Sequence, residues 1–152
     1  MSMDEINVNE FEVFDGKDKV LGRLASTVAK RLLSGKKVAI INAEMAIISG
    51  DRKGIKRKYK TRLDLQEKEN PEHSPYWPRR PDMLVKRVIR GMLPYKKRTA
   101  GKEAYRNLRV FMGVPPAFKD VKPIEIETKN PKQLYVGHVK VGELAQLLGY
   151  NR

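Results

Sequence analysis

Cysteine is absent from the sequence, and histidine occurs only twice in 152 residues, as His73 and His138. The absence of cysteine excludes a disulfide framework, thiolate metal sites and a cysteine nucleophile, and two histidines are too few for a histidine-rich metal site. The longest apolar runs, at 38–41 and 45–48, fall far short of the roughly 18 residues that a membrane-spanning helix requires. We therefore expect neither a metal cofactor nor a membrane partner.

Acidic residues are few: 18 Asp and Glu stand against 32 Lys and Arg, for a formal net charge of +14. Two basic blocks hold the excess, with +11 over 16–62 and +9 over 79–109, whereas 1–15 carries −5 and 63–78 carries −3. Solubility alone rarely requires so large a charge, so the segregation favours a surface that attracts phosphates. The acidic start is the opposite of a secretory or mitochondrial leader, so we expect a cytoplasmic protein with a polyanionic partner.

Length and composition favour one domain. A chain of 152 residues with 40% hydrophobic content can bury an ordinary core, which distinguishes it from a disordered basic tail. We predict a single domain over residues 1–152, with a core at about 11–149 and an acidic N-terminal tail at 1–10.

The clearest structural pattern is a strand–helix–strand unit over residues 11–41. Residues 11–14 alternate apolar and polar side chains, and seven apolar residues between Leu21 and Leu33 follow the spacing of an amphipathic helix. Gly35 supplies a helix stop, and 37–41 is a continuous apolar run typical of a buried parallel strand. The unit predicts an α/β sheet with a right-handed crossover.

The hydrophobic spacing in the rest of the chain is less regular. It predicts short strands at 45–48 and 110–112 and helices over 51–61, from 81 to about 91–94, over 99–108 and over 141–148. The helix at 51–61 has only Ile55 and Tyr59 as an apolar pair among six basic residues. A helix with so narrow an apolar side requires a counter-charge for stability.

Catalytic and nucleotide-binding patterns are missing. The sequence contains neither G-x-x-x-x-G-K-[ST] nor G-x-G-x-x-G, although an anion at the N-terminus of the first helix stays an alternative. Glu44 and Asp51 lie at strand and loop ends but form no pair, so we interpret them as caps or partners of basic residues. His138 is interpreted as structural and His73 as a surface residue. We expect no enzyme activity, no cofactor and no small-molecule substrate.

Basic and aromatic residues occur together in two segments, YWPRRP at 76–81 and PYKKR at 94–98. Arginine binds phosphates through its fork and stacks on bases, and a folded RNA can contact several faces of one protein. The predicted RNA-binding residues are Arg23, Lys30, Arg31, Arg52, Lys53, Lys56, Arg57, Lys60, Trp77, Arg79, Arg80, Lys86, Arg87, Arg90, Tyr95, Lys96, Lys97 and Arg98.

Three long blocks carry a family resemblance. They are VLGRLASTVAKRLLSGKKVAIINAE at 20–44, ISGDRKGIKRKYKTR at 48–62 and RRPDMLVKRVIRGMLPYKKRTAGKEAYRNLRVFMG at 79–113. In content and order they resemble the universal large-subunit ribosomal protein of the L-thirteen family, in its archaeal and eukaryotic branch. The resemblance runs from about 13 to 149, and the short C-terminus is similar to the archaeal form.

The resemblance implies a three-layer α/β/α fold around a four-stranded parallel sheet with strand order 3-2-1-4. It also implies a non-catalytic constituent of the large ribosomal subunit, bound to the ribosome in the cytoplasm. The implied partners are large-subunit ribosomal RNA, whose assembly the protein helps, and neighbouring large-subunit ribosomal proteins. The open alternatives are a DNA-coating protein, an RNA-binding translational regulator and an RNA-modifying enzyme on an α/β scaffold.

Overall fold

A computed structural model describes residues 6–128 and 130–151. The helices and strands in chain order are β1 (Phe11–Asp15), α1 (Leu21–Leu33), β2 (Lys37–Ile41), β3 (Ile47–Ser49), α2 (Arg52–Asp64), α3 (Pro81–Met92), α4 (Thr99–Arg106), β4 (Leu108–Val110), β5 (His138–Lys140) and α5 (Val141–Leu147). The predicted strand–helix–strand unit is confirmed, because β1 and β2 pair in parallel and α1 lies between them in the chain. The helices predicted at 51–61, 81–94, 99–108 and 141–148 are also present, with ends that differ by a few residues.

The central sheet has three regular parallel strands in the order β1-β2-β4, where four were expected. A single parallel bridge joins Phe14 of β1 to Ile124, whose backbone N–H donates to the carbonyl of Val13 at 2.7 Å. In the structure this segment contacts the sheet through this one bridge and lies outside the regular strands.

The strand predicted at 45–48 does not join the parallel sheet. Residues Ala43–Met45 form a 3₁₀ turn, and β3 follows it and pairs antiparallel with β5 in a separate two-stranded sheet. The strand predicted at 110–112 begins two residues earlier, at Leu108, where it pairs with β2.

One face of the parallel sheet carries the helices. Phe14, Val38 and Ile40 point to this side and lie in one core with Leu24 of α1 and Val85 of α3, all at most 1% exposed. Successive side chains of a strand point to opposite faces of the sheet. The β2 residues directly before and after Ile40 therefore point to the face without helices. A strand buried on both sides is the physical basis of the continuous apolar run in β2.

The opposite face lacks the third helical layer that was expected. Val13, Ala39 and Ile41 pack there against Phe118, and no α-helical residue belongs to this cluster in the described part of the chain. The covering segments are coil and short 3₁₀ turns, such as Pro116–Phe118. Pro115 and Pro116 lie at the start of this turn, where a proline is tolerated because the first N–H groups of a helical turn have no internal partner.

The acidic N-terminal tail predicted at 1–10 lies partly outside the described residues, which begin at Ile6. The described part is attached to the fold: Ile6 and Val8 pack against the Phe118 side of the sheet. The carboxylate of Glu10 accepts a hydrogen bond from Lys37 Nζ at 2.5 Å. That hydrogen bond, together with the lysine charge, lowers the pKa of Glu10.

Candidate nucleic-acid interface

Helix α2 is fixed at its start by Asp51, for which the sequence left two interpretations, a cap or a partner of basic residues. The Asp51 carboxylate accepts a hydrogen bond from the backbone N–H of Gly54 at 3.0 Å, satisfying a donor that the first turn of a helix leaves free. Only Ile55 of this helix is buried, and it packs with Val139 of β5 and with Leu148, the residue that follows α5 in the chain. Consequently, α2 contacts the rest of the protein along one narrow line and presents its other sides to solvent.

Most of the predicted cations on α2 are exposed and have no internal partner. Arg52 is the exception, because its guanidinium forms an ion pair with Glu143 of α5 at 2.6 Å. The other four predicted cations on this helix are exposed and make no ion pair with a carboxylate of the described residues: Lys53, Lys56, Arg57 and Lys60. Their charge is available to a partner.

Trp77 connects α2 to α3 through two arginines. The guanidinium carbon of Arg62 lies 4.8 Å from the centre of the Trp77 ring, and that of Arg87 lies 4.7 Å from it. Arg62 also lies 5.0 Å from the Tyr59 ring on its own helix. The negative face of an aromatic ring attracts a cation, and each such contact contributes about 0.5–1 kcal/mol at exposed positions. The aromatic rings hold these arginines near one another despite their like charge.

A second aromatic pair holds two more cations of α3. The Arg90 guanidinium carbon lies 4.2 Å from the Tyr95 ring centre, and Lys86 Nζ lies 5.0 Å from the Tyr105 ring centre. The two tyrosines meet edge to face with their centres 5.4 Å apart. Burial lowers the pKa of Lys86, and the charge of Arg109 adds to this effect. Burial also raises the pKa of the Tyr105 phenol, so this ring stays neutral.

The turn after α3 is held against α4 by a close backbone approach. A Cβ atom on Gly101 would lie 2.4 Å from the carbonyl oxygen of Pro94, a distance that no side chain tolerates. Glycine at this position therefore lets α4 pack directly on the turn that carries Tyr95, Lys96 and Lys97.

This turn and α3 enclose an open cleft of about 340 Å³, here called the α3 cleft, lined by Arg87, Arg90, Gly91, Leu93, Pro94, Tyr95, Lys96 and Lys97. A neighbouring cleft of about 260 Å³ includes Trp77 and Arg62 and shares Arg87 and Gly91 with it. The α3 cleft is lined by four basic residues and by no acidic one. The structure thus brings five of the predicted residues of α3 and of the 94–98 turn into one concave site, whereas Lys86 and Arg98 do not line it.

Other predicted residues are placed differently. Arg80 pairs with Asp82 at 3.1 Å, and Arg31 lies 3.7 Å from Glu12, so both have a carboxylate partner. Arg79 and Arg98 are exposed. Arg23 and Lys30 are exposed on α1, and within the described residues no hydrogen bond, ion pair or cation–π contact links them to the other predicted cations.

Three residues that take part in the cation–π contacts of α2 and α3 were not predicted from the sequence. Arg62 and Tyr59 are three positions apart on α2, a spacing that places them on neighbouring sites of one helical face and could have suggested their contact. Tyr105 carries no comparable signal, because its contacts with Tyr95 and Lys86 depend on how α4 packs against α3.

Of the residues considered for catalysis, Glu44 has a structural role and the two histidines are exposed. Glu44 accepts hydrogen bonds from the backbone N–H of Gly113, at 3.0 and 3.1 Å from its two oxygens, and so ties the 3₁₀ turn after β2 to the segment after β4. His138 is exposed in β5, and His73 is exposed beside Asn70. No group of three or more His, Asp or Glu side chains in the described residues could hold a metal ion. None of the described helices has the length and apolar character needed to cross a membrane.

Comparisons with known proteins show which family the sequence belongs to. The sequence model of ribosomal protein L13 matches residues 9–117. The chain is 45% identical to large ribosomal subunit protein uL13 of Methanosphaera stadtmanae, over 90% of this chain and 96% of that protein. It is 40% identical to uL13 of Archaeoglobus fulgidus (93% and 90%) and 42% identical to uL13 of Sulfurisphaera tokodaii (90% and 93%). The chain belongs to the ribosomal protein L13 family.

Proposed function

We propose that this chain is a structural, non-catalytic protein of the large ribosomal subunit that binds large-subunit ribosomal RNA and helps it to assemble. The observation that carries the proposal is the surface formed by α2, Trp77 and α3. There, cations without carboxylate partners lie beside arginines that aromatic rings hold in place. The archaeal relatives are named as proteins of the large ribosomal subunit, and we propose that this surface binds RNA within that particle.

The surface combines two kinds of cation. The lysines and arginine of α2 are exposed and free, and each can neutralise a phosphate and release condensed counterions. Arg87 and Arg90 are half-buried against Trp77 and Tyr95, so less side-chain freedom is lost when they bind. The α2 cations therefore supply most of the affinity, and the α3 arginines supply geometry.

A rigid arrangement of cations favours one RNA conformation over others. Because α2 and α3 are linked through Trp77, RNA segments that bind to them are held at a fixed separation. A protein that binds the assembled RNA more tightly than the open RNA shifts the population toward the assembled form. This preference is the physical means by which the chain promotes assembly.

The α1 cations and the paired arginines have a lesser part in the proposal. Arg23 and Lys30 form a separate basic patch that reaches a different RNA segment or a neighbouring ribosomal protein. Three arginines already pair with a carboxylate and must break that ion pair before they bind an RNA phosphate: Arg31, Arg52 and Arg80. The lost ion pair reduces the net contribution of each to RNA affinity.

The proposal extends to the architecture. In it, the segment at Ile124 serves as a fourth parallel strand beside β1, which gives the order 3-2-1-4 when the parallel strands are numbered along the chain. The support is the bridge between Phe14 and Ile124 and its 2.7 Å hydrogen bond. Residues 1–152 form one domain in this proposal, since the cores on both faces of the sheet share β1 and β2.

Filter binding of the full chain to large-subunit ribosomal RNA fragments, with duplex DNA as competitor at moderate salt, tests the function. We expect retention of the ribosomal fragments in the presence of excess DNA, with affinity falling by roughly 0.7–0.9 log units per log unit of salt for each phosphate contact. Equal retention of RNA and DNA would show a general polyanion binder and would overturn the ribosomal proposal.

A further inference from the structure

The α3 cleft has the dimensions of a small-ligand site. Its volume of about 340 Å³ lies at the lower end of the roughly 300–1,000 Å³ range typical of such sites. An RNA duplex is convex and too wide to enter a cleft of this size. A single nucleotide that leaves its stack is the part of an RNA that can enter.

The lining matches both halves of a nucleotide. Leu93 and Pro94 provide apolar surface, and Lys96 and Lys97 provide positive charge that no acidic residue of the lining offsets. Neither lysine forms an ion pair within the described residues. A phosphate bound here would meet uncompensated charge beside a surface suited to a base.

Arg90 supplies the stacking plane. Its guanidinium carbon lies 4.2 Å from the Tyr95 ring, so one face of the planar group is occupied by the tyrosine. Because a guanidinium can stack on both sides and Arg90 lines the cleft, its other face is the one that a base would use. Unpaired bases of RNA loops and bulges are commonly recognised by stacking on aromatic rings and arginine planes.

The surrounding structure fixes this plane before any ligand binds. Tyr95 is braced by the edge of Tyr105, and the backbone contact between Gly101 and Pro94 sets the position of the turn. Arg87, which lines the same cleft, is held by Trp77. The ordering cost of binding is therefore reduced, which favours a specific ligand over loose electrostatic attraction.

We propose that the α3 cleft holds one unpaired nucleotide, with its base stacked on the Arg90 guanidinium and its phosphate bound by Lys96 and Lys97. The inference rests on the proposed RNA-binding function and identifies the element of RNA that this part of the surface takes. Ordinary duplex phosphates bind at the exposed α2 cations instead.

The test compares single-stranded and duplex RNA on the full chain by fluorescence anisotropy. The probes are labelled penta-adenylate and a labelled RNA hairpin whose stem is long enough to stay paired, and the affinity of each probe for a variant is compared with its affinity for the wild type. The variant Arg90→Lys keeps the charge and removes the stacking plane, so we expect affinity for penta-adenylate to fall roughly fivefold or more while affinity for the hairpin stays unchanged. Arg106→Lys, at the exposed end of α4 outside the cleft, is the matched control and should change neither affinity.

A competition arm separates a nucleotide from a free anion. At constant ionic strength, adenosine monophosphate should displace penta-adenylate from the wild-type chain at a lower concentration than inorganic phosphate does. Equal displacement would show an anion site and overturn the inference. An equal loss of single-stranded and duplex affinity in Arg90→Lys, or no loss in either, would also overturn it. These outcomes leave the proposed function intact as long as the wild-type chain still retains ribosomal RNA fragments over DNA.

Discussion

Helices α1 and α2 each have 13 residues, yet they are held in the protein in different ways. Helix α1 buries six of its residues and carries three basic ones. Helix α2 buries one residue and carries seven basic ones. The first is fixed by packing against the sheet and α3, whereas the second depends on its cap, one narrow apolar line and the contact of Arg62 with Trp77.

The contrast shows how one chain divides stability from binding. A helix with a broad apolar face gains most of its stability from burial, so its exposed side is free to vary. On α2, like charges four positions apart, such as Lys53 with Arg57 and Lys56 with Lys60, repel each other in the free protein. A bound polyanion removes this repulsion, so the folding stability of α2 and its occupancy by RNA are linked.

The largest expected effect on stability comes from the buried face of α1. Leu24 is fully buried in the core, so Leu24→Ala should reduce the free energy of unfolding by about 2–5 kcal/mol through lost burial and the cavity that remains. Urea denaturation followed by circular dichroism measures this. Leu33→Ala on the same helix is the control: its side chain is 50% exposed, and its loss should cost no more than about 0.5 kcal/mol. Similar losses in the two variants would contradict the packing account of α1.

Removing the free charge of α2 should give the converse result. Replacing Lys53, Lys56, Arg57 and Lys60 together by Gln should weaken RNA binding roughly a hundredfold near physiological salt and make the plot of log affinity against log salt shallower by about 3. The thermal midpoint should stay the same or rise, because two repulsive pairs are lost.

The matched control removes four exposed lysines from the C-terminal third: Lys119, Lys122, Lys132 and Lys140. It lowers the net charge equally and should leave the salt dependence close to that of the wild type. An equal loss in the two quadruple variants would mean that net charge, rather than the placement of charge on α2, determines binding.

The smallest effect is expected at the cap of α2. Asp51→Ala removes the acceptor for the Gly54 N–H and should cost about 1 kcal/mol. Asp51→Ser retains an acceptor and should recover most of that loss. Thermal unfolding followed by circular dichroism measures both variants. If the alanine variant matches the wild type, the packing of Ile55 is sufficient to fix the helix.

The elements that the sequence predicted well share one property: their pattern reflects a local physical demand. The 3.6-residue spacing in α1, the continuous apolar run of β2 and the proline at the start of α3 each gave boundaries close to those observed. Asp51 could likewise be interpreted as a cap, because it directly precedes the cationic helix.

The parts that were missed depend on distant segments. The direction of β3 is set by its pairing with β5, which lies about 90 residues further along the chain, and a three-residue strand carries no mark of its partner. The cover on the second sheet face was expected to be helical and consists of coil and short 3₁₀ turns, with Phe118 packed against the sheet. Arg62 was not selected as a site residue, although it contacts Trp77.

The sequence alone determined the strand–helix–strand unit and the positive charge in two blocks, and through its family resemblance it indicated the class of partner that we propose. These properties follow from residue types and from spacings of a few residues along the chain. Only the tertiary structure decided which cations are free, which are paired with Glu143 or Asp82, and which are held on aromatic rings to form the α3 cleft. The physical reason is that cation–π contacts and ion pairs form between side chains that folding brings within a few ångströms, and their separation along the chain does not encode that proximity.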